Sequence, residues 1–168
     1  MQVRVLVPVD AAAFQALRLQ GLLECPSAFA SSHEEEVAAP LATVAERLAE
    51  QPDRASFGAF DGAALVGVLG LQREAMRKLA HKALVWGLYV APPARRAGVG
   101  ARLLAAALAH ASNPMGVRQV TLGVNAGNLA ALALYRRLGF EPFGLEPGFL
   151  RVDGELHDEV LMLRVLPT

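Results

Sequence analysis

Residues Leu84 to Leu104 read L-V-W-G-L-Y-V-A-P-P-A-R-R-A-G-V-G-A-R-L-L, and no other stretch constrains the fold as strongly. Leu84 to Val90 is an apolar run rich in strand-favouring residues and without polar alternation, the pattern of a strand covered on both faces. By periodicity alone the same run also fits a buried helical segment. Pro92 and Pro93 end any ladder, because proline has no N–H to donate. From Val99 onward apolar residues fall at 99, 103, 104, 107, 108 and 111, which is helical spacing. The unit is therefore a strand, a short basic glycine turn and a helix.

Such a turn captures anions. A helix start leaves its first N–H groups without partners, and the aligned peptide dipoles make that end positive. Glycines at 98 and 100 let the backbone approach a phosphate with no side chain in the way. Arg95 and Arg96 add forked, charge-assisted donors suited to phosphate. The stretch is expected to bind a phosphate or pyrophosphate, although the two glycines also fit a purely structural turn. A nucleoside-triphosphate loop needs G-K-[ST], and here Gly100 is followed by Ala101 and Arg102. A dinucleotide fingerprint needs a third glycine where this chain has Leu103.

A second motif follows about thirty residues later. Asn128 to Phe140 reads N-L-A-A-L-A-L-Y-R-R-L-G-F. Residues 128, 131 and 135 are spaced i, i+3 and i+7, so they share one helical face. Asn128 can cap that helix and also bond an amide of a ligand. Ala131 is small enough to leave room beside it, and Tyr135 puts a hydroxyl at the far end of the same face. The plainer readings stay open: Asn128 as a cap alone, and Tyr135 as core packing with a satisfied hydroxyl.

Arg95-Arg96-Ala97-Gly98-Val99-Gly100 matches R/Q-x-x-G-x-G/A, and the later stretch matches N-x-x-A-x-x-L-Y-x-x-x-G-F. In this order the two resemble the acyl-CoA-binding core of the GNAT superfamily of N-acetyltransferases. The segment P-S-A-F-A-S-S-H-E-E-E also resembles P-E-A-F-G-S-S-Y-E-E-E of many bacterial members, with His33 where a tyrosine is usual. The resemblance implies one α/β domain over residues 1–168, with a twisted, mostly antiparallel mixed sheet of about seven strands and about four helices. A V-shaped opening would lie between strands 4 and 5. It implies acetyl-CoA as donor, with its pyrophosphate on the amides of Arg96, Ala97, Gly98, Val99, Gly100 and Ala101, and Arg95 beside them. The backbone of Leu88, Tyr89 and Val90 would hold the acyl and pantetheine units, with the Val90 N–H as oxyanion donor. Asn128, Ala131 and Tyr135 would flank the thioester, with Tyr135 as proton donor to the thiolate.

The implied activity is acetyl transfer to a primary amine of a small molecule or peptide, by direct attack. A non-catalytic acyl-CoA-binding or sensing module is the alternative. Glu34, Glu35, Glu36, Glu74, His81, Asp158 and Glu159 are candidate bases, and a water chain with no single base is a further one. By analogy with look-alikes, a homodimer is expected.

Composition sets limits. With 168 residues, 54% hydrophobic, the chain has the material for a single core. A formal net charge of zero gives no general attraction to nucleic acid or anionic membrane. One cysteine, Cys25, rules out an internal disulfide and suits a reducing cytoplasm. M-Q-V-R-V-L-V-P-V-D does not read as a signal peptide, and no apolar run approaches the ~20 residues of a membrane span. The four histidines lack ligand-like spacing, so no metal is expected, and there is no G-x-S-x-G elbow.

Around these motifs the expected elements are a strand at 3–7, a helix at 11–23 capped by Asp10, and a helix at 34–50 containing or split by Pro40. A hairpin over 56–60 and 65–71 turns at Asp61-Gly62. A strand at 119–124, a helix at 128–138 ending at Gly139, and strands at 140–145 and 156–165 complete the chain.

Overall fold

The computed structural model describes residues 1–167. Seven strands form one sheet: β1 (Gln2–Val5), β2 (Arg54–Asp61), β3 (Ala64–Arg73), β4 (Lys82–Val90), β5 (Gln119–Asn125), β6 (Glu141–Val152) and β7 (Glu155–Val165), in the spatial order β1-β2-β3-β4-β5-β7-β6. Every neighbouring pair is antiparallel except β4 and β5. The helices are α1 (Ala11–Glu24), α2 (His33–Glu36), α3 (Leu41–Leu48), α4 (Val99–Ser112) and α5 (Leu129–Arg137). The expected GNAT-like architecture is therefore the one observed. Among the described residues no helix is long and apolar enough to cross a membrane.

Alternation along the strands sends side chains to two cores. Leu69, Leu71, Ala83 and Val85 meet Leu103, Leu104 and Ala107 of α4 on one face. Val68 and Tyr89 meet Leu17 and Leu22 of α1 on the other. Leu103 and Leu104 are fully buried, and each such leucine contributes about 1.5–3 kcal/mol on leaving water.

Three local expectations change. The predicted helix at 34–50 is two helices, because Pro40 cannot supply an interior N–H and instead takes the N-cap position of α3. Ser32 and Glu35 close a reciprocal capping box on the short α2. Asp10 does not cap α1 with its side chain. Its carboxylate accepts two bonds from Arg4, at 2.7 and 2.8 Å, and one from the Val7 N–H at 2.9 Å. The expected strand at 140–145 extends as β6 to Val152 and pairs with β7 up to the Asp153-Gly154 turn, with irregularities between Pro142 and Gly144 and between Glu146 and Leu150.

The feature that positions the site is a divergence. β4 and β5 pair only at Lys82–Gln119, Ala83–Val120 and Leu84–Thr121. Beyond that, β5 continues along β7 while β4 stays with β3. On β4, Gly87 and Leu88 together face the single residue Leu69, a β-bulge that a side chain would strain because Gly87 has φ +66°. The bulge bends β4 away from β5 and leaves its last residues as an edge inside the sheet.

Candidate active site

Four structures converge on this opening. The first is the start of α4. Gly98 is its N-cap, in the left-handed region at φ +75°, with no side-chain cap. A Cβ there would meet nothing within 4 Å, so the space in front of the helix is open. The first intrahelical bond runs from the Arg102 N–H to the Gly98 carbonyl, at 3.1 Å. The N–H groups of Val99, Gly100 and Ala101 therefore lack helical acceptors. The Val99 side chain is 2% exposed and lies in the core, so only its backbone faces the turn. Arg96 is exposed and left-handed at φ +64°. Ala97 is exposed, while Gly100 and Ala101 are half-buried.

The two arginines of the turn differ. Arg95 donates from Nε to the Val90 carbonyl at 2.9 Å and pairs with Glu24 of α1 at 3.0 Å. Its guanidinium also lies over the Tyr89 ring, 5.7 Å from the centroid. Arg95 thus ties the turn to α1 and β4, and Arg96 remains the outward cation. The Tyr89 hydroxyl donates to the other Glu24 oxygen. Burial and that carboxylate push the phenol up to about 12.

The second structure is the β4 edge. The Ala91 N–H donates to the Val66 carbonyl at 2.9 Å, in register with Tyr89–Val68 and Val90–Gly67. Alternation in an antiparallel ladder then turns the Tyr89 N–H to β3, and the N–H groups of Leu88 and Val90 to the side that β5 has left. Among the three residues expected to hold an acyl chain, Leu88 and Val90 present the backbone edge. Tyr89 contributes its side chain on the α1 face.

The third structure is α5. The Asn128 Oδ1 accepts from the Ala131 N–H at 3.1 Å, which caps the helix. A space of about 90 Å³ between β4 and β5 is lined by Gly87, Leu88, Gly123, Asn128, Ala131 and Tyr135. Tyr135 is 7% exposed, and its ring meets Phe140 edge-on at 6.0 Å. Its hydroxyl has no hydrogen-bond partner among the described residues, and burial raises the phenol to about 12. Gly100 closes the connection between turn and opening: a Cβ there would stand 3.2 Å from Leu134 of α5 and 3.9 Å from Leu88.

The fourth structure is a cleft of about 320 Å³ on the α1 face, bordered by Arg18, Trp86, Gly87, Gly123, His157 and Glu159. Glu159 sits opposite Asn125 in register, and its carboxylate lies over Gly123, where any Cβ would collide with it. Burial, reinforced by the neighbouring Glu146, holds the Glu159 carboxyl above its usual range. A carboxylate so destabilised is a stronger base.

The other candidate bases fall elsewhere. His81 is exposed at the far end of β4, six residues from Gly87, which is about 20 Å along a strand. Glu74 is exposed just beyond the end of β3. Asp158 is exposed and accepts from the Gly148 N–H at 2.8 Å. Glu36 is bound to Arg18 by two hydrogen bonds, which hold it low against the burial that would raise it.

Sequence reasoning passed over Arg18, Glu24 and Trp86. Arg18 had a signal: 14, 17, 18, 21 and 22 form a helical stripe, and a charged residue interrupts it. Glu24 had none, because its partners Tyr89 and Arg95 are distant in the chain. No group of three or more histidine, cysteine, aspartate or glutamate side chains that could hold a metal occurs among the described residues.

Known proteins agree with this architecture. An acetyltransferase of the GNAT family from Streptococcus pneumoniae superposes with a TM-score of 0.87 at 21% identity, over 98% of this chain and 99% of that one. The yncA protein of Salmonella typhimurium, solved with its cofactor acetyl-CoA, gives a TM-score of 0.83 at 18% identity, over 100% of this chain and 95% of that one. In sequence, the N-alpha-acetyltransferase RimI of Mycobacterium tuberculosis is 38% identical over 97 residues, which is 58% of each chain. The matched segments span 58% or less of the curated relatives' lengths. The sequence model of the Acetyltransferase (GNAT) family matches residues 20–140, which takes in the glycine turn, the divergent strands and the α5 motif, and the chain belongs to that family.

Proposed function

We propose that the chain moves the acetyl group of acetyl-CoA to a primary amine by direct attack, with donor and acceptor bound together. The observation that carries this reading is the break between β4 and β5. It connects unpaired amides at the α4 start, the Val90 edge and the Tyr135 hydroxyl with the Glu159 cleft on the opposite face. When bound, acetyl-CoA supplies a thioester whose carbonyl carbon is the electrophile and whose sulfur is the leaving group.

The amides from Arg96 to Ala101 would take the pyrophosphate, with Arg96 adding charge and Arg95 fixing the turn. The small Ala131 and the capped Asn128 leave a passage between α5 and β4. The Val90 N–H donates to the carbonyl oxygen as it gains charge, and a donor fixed beforehand needs no reorganisation during reaction. Tyr135 enters protonated at any physiological pH and donates to the sulfur as it departs. Glu159 accepts the ammonium proton, directly or through water, before attack.

The test is a thiol-release screen with acetyl-CoA against amino acids, polyamines, aminoglycosides and short peptides. Release that depends on a particular amine is expected. Tight acetyl-CoA binding with no release for any amine would instead favour an acyl-CoA-sensing module.

A further inference from the structure

We propose that Arg18 reads a carboxylate on the acceptor, so that the amine acetylated is that of a free amino acid; this rests on the transfer reaction proposed above. Arg18 projects from the core stripe of α1 and is 6% exposed. One edge of its guanidinium is satisfied: Nε and Nη2 donate to the Glu36 oxygens at 3.1 and 2.9 Å, and Nη2 reaches Ser31 Oγ at 3.4 Å. Its guanidinium lies over two aromatic rings, 4.8 Å from the Phe29 centroid and 5.9 Å from that of Trp86. Nη1 alone is buried without a hydrogen-bond partner among the described residues. A charged donor left unpaired away from water is costly, and folds seldom retain one without use.

Nη1 borders the cleft at Gly87, where a Cβ would stand 3.5 Å from it. A Cβ at that position would come into ordinary contact with the donor, and φ +66° favours glycine there. The Glu159 carboxylate lies over Gly123 on the adjacent strand, on the same face of the sheet. The donor and the base therefore border one cleft of about 320 Å³, opened where the two strands diverge. A short molecule held by a charge-assisted hydrogen bond at each end fits that volume. With its ammonium toward Glu159 and its carboxylate toward Nη1, an amino acid satisfies both ends. Arg18 is the one arginine or lysine bordering this cleft among the described residues. A polyamine or aminoglycoside would leave Nη1 unpaired and bring a second cation toward it.

The experiment compares matched acceptors in the thiol-release assay, at equal concentrations of free base: amino acids, their amides and the corresponding decarboxylated amines. At least one amino acid is expected to exceed both counterparts by tenfold to a hundredfold in kcat/KM. The Arg18→Lys variant, which keeps a cation for Glu36, is expected to lose that preference mainly through KM. Equal rates for acid and amide in the unaltered protein would overturn the proposal and leave acetyl transfer intact, as would a preference that survives in R18K. Should no amine release thiol, the transfer reading fails, and calorimetric titration of amino acids into the CoA-loaded protein decides separately. Binding of acids but not amides, lost in R18K, would uphold the carboxylate site, and no binding would overturn it. The comparison on the unaltered protein needs no variant, so misfolding of R18K does not spoil the test.

Discussion

Replacing Tyr135 by phenylalanine removes one oxygen and leaves the ring where it packs, 7% exposed and edge-on to Phe140. The lost hydroxyl has no hydrogen-bond partner among the described residues, so stability is expected to change by less than about 1 kcal/mol. The rate is expected to fall. The phenol is held near 12 by burial, whereas a free thiol titrates near ~8.5. Complete proton transfer to a solvent-like thiolate would be uphill by roughly 5 kcal/mol. The same desolvation acts on a thiolate formed in this opening and narrows the gap. In the proposed reaction Tyr135 would therefore work by donating a strong hydrogen bond as charge develops on sulfur. Its loss is expected to lower kcat by about a hundredfold, the low end for proton-transfer assistance and about 2.7 kcal/mol in the barrier. Acetyl-CoA affinity, which the proposed reading places mainly at the α4 start, is expected to change less than threefold. Because the phenol stays protonated, Tyr135 adds no alkaline limb between pH 8 and 10 to the wild-type profile. Steady-state thiol release, calorimetric acetyl-CoA binding and urea unfolding measure the three quantities. A kcat within threefold of wild type would refute the role of the hydroxyl, and a loss of more than about 1 kcal/mol in stability would show that it serves the core.

Gly100→Asp makes Leu134 give way by a few tenths of an ångström and is expected to lose some stability, but to weaken acetyl-CoA binding at least tenfold by placing an anion at the proposed phosphate cradle; unchanged affinity in a titration of the folded variant would remove the cradle from the α4 start. Gly98→Ala meets no neighbour within 4 Å, so its cost is the strain of φ +75°, about 1 kcal/mol of unfolding free energy in urea. Glu159→Gln is expected to lower kcat/KM and abolish its acidic limb. The native pKa of Glu159 is raised, so wild-type stability falls as pH rises through that value, and the variant is expected to show a higher urea midpoint at pH 8; a lower midpoint would contradict the burial argument. Asp10→Asn keeps one acceptor oxygen for the Val7 N–H but breaks the charged fork with Arg4, at a cost of about 1–2 kcal/mol at neutral pH. The carboxyl is held low mainly by its bond to Arg4, so its contribution is present at neutral pH and disappears as pH falls through its lowered value. Unfolding midpoints of the two proteins are expected to converge in acid.

The short-range chemistry was legible in the chain. Pro92 and Pro93 end a strand because they lack donors, Gly98 starts a helix because only a glycine accepts φ +75° cheaply, and 128, 131 and 135 share a face because a helix has 3.6 residues per turn. These are properties of a residue and its near neighbours, and so the turn, α4 and α5 were found close to where they stand. The break between β4 and β5 rested on resemblance, because a strand's sequence does not state which neighbour it leaves or where.

Which donors are already spent was decided by contacts across the fold. Arg95 and Arg96 are equivalent on paper, yet Glu24, seventy-one residues earlier, engages the first and not the second. Glu159 is one of seven candidate bases until β7 lays it over Gly123. Arg18 is only a charge set in an apolar stripe until Phe29, Trp86 and Glu36 close around it and leave one nitrogen unanswered. Local sequence sets backbone conformation through sterics and hydrogen bonding within a few residues, whereas burial, pKa and the pairing of charges depend on groups that only the folded sheet brings together.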